Sequence, residues 1–106
     1  MTEPLNELGR EIIEINRNNG WNVTQPVDWL DTYKVPAVLA LIHSEVSEAL
    51  EAFRKDDACN FEEELADVLI RVLDLTAGLH LNIDQAVRLK MEKNKTRGHK
   101  HGGKRI

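Results

Sequence analysis

The spacing of the apolar residues decides the fold class. Leu5, Leu8, Ile12 and Ile15 recur every three or four positions, the period at which side chains share one face of an α-helix. This predicts a first helix from about Leu5 to about Arg17, stopped by Asn18-Asn19-Gly20, residue types that tolerate a left-handed helix end. A connection follows from Trp21 to Val35. Val38, Leu39, Ile42, Val46, Ala49, Leu50 and Phe53 give a second helix, from Pro36 to about Lys55, broken by Asp56 and Asp57. Pro36 suits a first turn because its missing N–H is not needed there. Asn60 with Glu63 three residues on reads as a capping box for a third helix, which carries Leu65, Val68, Leu69, Val72, Leu73 and Leu75 and ends near Gly78 to His80. Asn82 with Gln85 starts a fourth, which fades by about Arg97. No strand-like alternation, repeat or domain boundary interrupts this pattern.

With 106 residues, the chain is read as a single all-α domain over 1–106 with a basic tail at 98–106. It has length enough for a four-helix core bundle, but an isolated subunit of this size is only modestly stable. Homo-oligomerisation is expected to complete the core by covering apolar faces that one subunit leaves open. The lone Cys59 excludes an intrachain disulfide and reads as a bland thiol in a helix connection. No signal peptide and no long apolar run is seen, so a soluble, cytoplasmic protein is expected.

The net charge of -4 is unevenly placed. The centre is acidic, whereas from Lys90 to Ile106 seven cations face one acid, Glu92. Two acidic pairs stand out: Glu45-Val46-Ser47-Glu48 on the second helix and Glu64-Leu65-Ala66-Asp67 on the third. Each pair shares a helix face by its spacing. A helix restart lies between them, so two antiparallel helices bring the pairs to one level. At about 100° per residue, each pair flanks an apolar arc: Val38, Val46, Ala49 and Phe53 on the second helix, and Val68, Val72 and Leu75 on the third. Carboxylates gathered at such a seam repel one another and are costly to desolvate. A divalent cation relieves that cost, and hard oxygen ligands suit Mg²⁺ or Mn²⁺. The alternative is an ordinary solvated face, and the pattern leaves both open.

On the fourth helix Lys90, Asn94 and Arg97 share a face, with Lys93 beside it. These are donors for phosphate oxygens. Basic residues also complement a helix C-terminus, which accounts for the cations but not for Asn94. The histidines lack zinc spacing, and His43 reads as a surface or interface residue. Ser44 and Ser47 have no partner base and read as small packing residues. Trp29 is expected to pack over the bundle. Asp74 is expected to pair with Arg71.

These residues resemble a known family. Glu45-Val46-Ser47-Glu48 and Glu64-Leu65-Ala66-Asp67 are similar to the E-x-x-E…E-x-x-D signature of MazG-type nucleoside triphosphate pyrophosphohydrolases. Lys90-Met91-Glu92-Lys93-Asn94-Lys95-Thr96-Arg97 is similar to that family's K-M-x-x-N-x-x-R segment. The tail Lys100-His101-Gly102-Gly103-Lys104 resembles that of small bacterial members. The resemblance runs from about Pro36 to the C-terminus.

It implies an all-α bundle working as a homodimer or dimer of dimers, with Mg²⁺ (or Mn²⁺) held by Glu45, Glu48, Glu64 and Asp67. It implies hydrolysis of a nucleoside triphosphate to the monophosphate and pyrophosphate by attack of a metal-activated water on the α-phosphorus, serving nucleotide-pool sanitation. A carboxylate of the cluster takes the proton, with Glu48 the first choice and Glu45 beside it. Lys93, Asn94 and Arg97 grip the phosphates, supported by Lys90, and Trp21 stacks near the base. Two departures bear on the substrate: Gly98 and His99 follow Arg97 where an aromatic or Pro is frequent, and Arg71 stands where a related group carries a Tyr. Competing readings are a phosphoribosyl-ATP pyrophosphohydrolase-like activity, a dUTP- or dCTP-selective variant, and a non-enzymatic helical dimerisation module whose basic tail contacts nucleic acid.

Overall fold

The computed structural model describes residues 2–96, which form helices and their connections with no strand among them. Helix α1 spans Pro4–Asn18, α2 Lys34–Arg54, α3 Ala58–Gly78 and α4 Ile83–Thr96, and a short 3₁₀ segment, Pro26–Leu30, lies in the connection before α2. The all-α expectation holds.

Local chemistry sets the ends. Helix α2 starts two residues before Pro36, because Asp31 Oδ1 accepts from the amides of Tyr33 and Lys34 at 2.8 and 3.2 Å. The cap of α3 is Asp57, whose side chain accepts from the Asn60 amide at 3.1 Å, so Asn60 lies inside the helix rather than capping it. Asn82 does cap α4, accepting from the Gln85 amide at 3.2 Å. Three helices stop in one way. The amides of Trp21, Asp57 and Leu81 each reach back 2.9 Å to the carbonyls of Asn16, Ala52 and Thr76, and the residue before each is left-handed: Gly20, Asp56 and His80 at φ 82, 56 and 57°. These bonds satisfy carbonyls that a helix end otherwise strands.

Helix α3 is the centre, packed against α1 and α2, while α4 meets α1 at its N-terminal turn and is exposed from Gln85 to Thr96. The buried apolar residues are Ile12 and Ile13 of α1, Ala49 and Ala52 of α2, and Leu73 and Leu75 of α3. Two glycines allow backbones to touch. A Cβ on Gly9 would sit 2.9 Å from the Leu73 carbonyl oxygen, and one on Gly78 would sit 2.5 Å from that of Thr24.

The N-termini of α1 and α4 cap each other. Asp84, buried, accepts from the amides of Leu5 and Asn6 at 3.2 and 2.8 Å. Asn6 in turn accepts from the Ile83 amide at 3.0 Å and donates to Asn82 Oδ1 at 2.8 Å. Glu3, the N-cap of α1, makes no side-chain cap bond of its own.

The inward stripe of α2 is Val38, Ile42, Glu45, Ala49 and Ala52. Val46 and Phe53, expected within the packed arc, are instead 51% and 71% exposed. Ala49 and Ala52 are the buried residues of α2, and small side chains on that line permit close helix packing, with Val46 and Phe53 left outward. With Leu39, Leu50, Leu65 and Leu69, also exposed, they make an outward apolar band on the α2–α3 hairpin. The Phe53 ring stands beside that of Phe61, at 6.4 Å between ring centroids. The radius of gyration, 16.2 Å, exceeds the about 13 Å of a closed globule of this length. Trp29, expected to pack, is 70% exposed, on a 3₁₀ segment that buries none of its residues. Cys59 lies in the first turn of α3, exposed, rather than in a connection. No described helix is long and apolar enough to cross a membrane.

Candidate active site

The inner stripes of α2 and α3 carry charge as well as apolar side chains. Glu45 stands between Ile42 and Ala49, and Glu64, Asp67 and Arg71 line the facing side of α3, all half-buried. One oxygen from each of Glu45, Glu64 and Asp67 lies within 4.8 Å of the others. Oxygens on one octahedral cation at about 2.1 Å lie about 3 to 4.2 Å apart, so a small contraction would let these groups share an ion. Three carboxylates and no nitrogen or sulfur is a donor set for Mg²⁺ or Mn²⁺.

The protein pays for this concentration of charge in its proton affinity. The Glu64 carboxyl is held above its ordinary value, first by a hydrogen bond shared with Glu45, then by desolvation, then by the negative charges of Glu45, Asp67 and Glu48. Arg71 offsets part of the charge, its Nε donating to Glu45 Oε1 at 3.0 Å. Asp74 does not pair with Arg71 as its spacing suggested. It accepts from Asn16 Nδ2, tying α3 to α1, because the α2 carboxylate lies nearer the guanidinium.

Glu48, exposed, stands outside the three-oxygen cluster, though near enough for its charge to act on Glu64. A cleft of about 370 Å³ opens beside the cluster, walled by Glu45, Asp67, Arg71 and Asp74 on one side and by Asn16 and Trp21 on the other. Trp21, 70% exposed, presents its indole at this rim. Lys90, Lys93 and Asn94 are not brought here: they are exposed on α4, which meets α1 at its N-terminal turn, and none lines the cleft. Arg97 lies outside the described residues.

Asn16, Asn22 and Asp74 wall the cleft without having been singled out as site residues. For Asn16 the signal was available, since an amide at the end of an otherwise apolar helical row is an exception to be explained. A second cleft, about 630 Å³, lies between α1, the connection and the last turn of α3, with Arg10, Glu14, Gln25 and His80 on its walls.

The family model of the MazG nucleotide pyrophosphohydrolase domain matches residues 34–102, which include all four acids and the fourth helix. No curated protein and no solved structure matches the chain.

Proposed function

Since this chain belongs to the MazG nucleotide pyrophosphohydrolase family, we propose that it hydrolyses a ribo- or deoxynucleoside triphosphate to the monophosphate and pyrophosphate with Mg²⁺ or Mn²⁺. The observation that carries this reading is the meeting of three carboxylates, Glu45, Glu64 and Asp67, two of which, Glu45 and Asp67, line a cleft that also presents Arg71 and Trp21.

Glu45, Glu64 and Asp67 would hold the cation, and Glu48 would join them by turning its exposed side chain inward. A bound cation there would neutralise phosphate charge and acidify a water. The residues do the rest by placement. Water adds to the α-phosphorus, the bond to the oxygen bridging to the β-phosphorus breaks, and pyrophosphate leaves. The proton of the attacking water passes to a carboxylate, for which Glu48 is the best placed to return it to solvent. The Trp21 indole offers a flat apolar face for a base.

Lys90, Lys93, Asn94 and Arg97 are assigned to the phosphates in an assembly of chains, a homodimer or dimer of dimers. Two features favour this: the described ones, Lys90, Lys93 and Asn94, do not line the cleft of their own chain, and the α2–α3 hairpin carries an outward band of exposed apolar side chains. A cytoplasmic role in clearing unwanted nucleotides fits the activity.

The test is pyrophosphate release from a panel of ribo- and deoxynucleoside triphosphates, with and without Mg²⁺. Wild type, Glu45→Gln and Glu48→Ala are compared. The expected result is metal-dependent release of pyrophosphate and monophosphate, reduced on the order of a hundredfold or more in Glu45→Gln, as for loss of a group that acts on transition-state charge. Equal rates in all three proteins would remove Glu45 and Glu48 from the reaction, and release in none of them would remove the enzyme reading and favour a binding module.

A further inference from the structure

Among the described residues, Arg71 is the one basic side chain on the wall of the acidic cleft. It lies one turn beyond Asp67 on the same stripe of α3 and reaches across to α2. Its bond uses Nε alone. The two terminal nitrogens make no hydrogen bond among the described residues, and the side chain is 40% exposed against 15% for Glu45. The guanidinium therefore has one edge on a sheltered carboxylate and the other turned to the cleft.

Glu45 is claimed twice over. Its carboxylate belongs to the three-oxygen cluster and is also the acceptor for Arg71. A divalent cation held by the cluster would draw on the same carboxylate and would repel a guanidinium fixed beside it. Arg has no neutral form to retreat to, so it must either weaken cation binding or move. Its side chain has the length and exposure to move, and the cleft in front of it is where a polyanion would lie.

Resting on the proposed metal-dependent reaction, we propose that Arg71 is a resident counter-ion of Glu45 that cation binding displaces, freeing its guanidinium to take the polyphosphate of the substrate. Arg71 thus lowers the affinity for cation alone and raises the affinity for nucleotide once cation is bound. The two ligands then bind with positive coupling. Any such coupling is reciprocal.

The test measures Mn²⁺ binding by paramagnetic resonance of the free ion, then binding of an α,β-imido nucleoside triphosphate in saturating Mn²⁺, for wild type, Arg71→Ala and Arg71→Lys. Expected for Arg71→Ala is tighter Mn²⁺ binding without nucleotide, on the order of fivefold or more, and weaker analogue binding by a similar factor, within the usual span of coupling. Arg71→Lys should fall between, keeping the charge but not the planar fork. Mn²⁺ binding unchanged or weakened in Arg71→Ala would overturn the proposal and make Arg71 a support that holds Glu45 in place. Wild-type protein gives a second readout, independent of how the variants fold. On titration with Mg²⁺ the Arg71 Nε–H resonance should lose its protection from solvent exchange, and an unchanged resonance under saturating Mg²⁺ overturns the proposal. Failure of wild type to bind Mn²⁺ at all would instead bring down the metal-dependent reaction, and this inference with it.

Discussion

The two halves of α3 are built on opposite terms. Its C-terminal half is closed: Leu73, Leu75, Thr76 and Gly78 are buried against α1 and the connection. Its N-terminal half is open. Glu64 and Asp67 crowd a third carboxylate there, and Leu65 and Leu69 face outward. One helix thus holds a tight anchor and a charged, incompletely covered surface in succession. Stability is concentrated where no chemistry is asked for, and electrostatic tension is kept where a ligand can relieve it.

The contrast can be broken from the anchored side. Gly78→Ala should have the largest effect on stability, about 2 kcal/mol, because its Cβ meets a backbone carbonyl that cannot rotate aside. That corresponds to a fall of about 8 °C or more in Tm for a domain of this size. A thermal melt within a degree or two of wild type would show that the anchor is looser than its geometry says. Asp84→Asn should cost less, about 1 kcal/mol, since the amide oxygen still accepts from one of the two α1 amides while the second acceptor and the charge facing the α1 N-terminus are gone. Urea unfolding at neutral pH measures it, and no loss would mean solvent replaces the carboxylate without penalty.

The smallest effect should come from the open half, and with a distinct pH signature. Glu64 titrates higher in the folded protein than its ordinary 4.5, so the folded state binds more proton than the unfolded state over that interval. The resulting stability is present in full below pH 4.5 and is lost as pH rises through the raised value. In chelator, unfolding free energy should fall over that window, and Glu64→Gln should flatten the fall. Saturating Mg²⁺ should recover the stability lost at higher pH. A slope that Glu64→Gln leaves intact would place the titration elsewhere.

Much of this was legible in the sequence, and what was not has identifiable causes. Helix existence followed from apolar spacing, and the α4 cap from Asn82 and Gln85, because both depend on neighbours within one turn. The α3 cap was misplaced because Asp57 becomes available only once Asp56 turns left-handed and stops α2. The convergence of Glu45, Glu64 and Asp67 was readable from spacing and antiparallel pairing. Which apolar line of α2 faces α3 was not, since Val46 and Phe53 are as apolar as the residues that win. The buried line holds two alanines, whose small size permits close approach, a property of the pair of helices rather than of either. The partner of Arg71 was equally hidden: Asp67 and Asp74 lie within a turn of it in sequence, and the carboxylate it meets comes from another helix.

The mutual capping of α1 and α4 has a consequence for how the chain assembles. Capping is ordinarily a local act, completed within four residues of where it starts. Here the acceptor for the first amides of α1 comes 79 and 78 positions later, so α1 cannot satisfy those amides until α4, which has a local cap in Asn82, has come round. Closing so long a loop is entropically costly, and the contacts that reward it arrive together. The two terminal helices should therefore order and fray as one cooperative unit, and trimming either end should loosen the other at a distance of more than seventy residues.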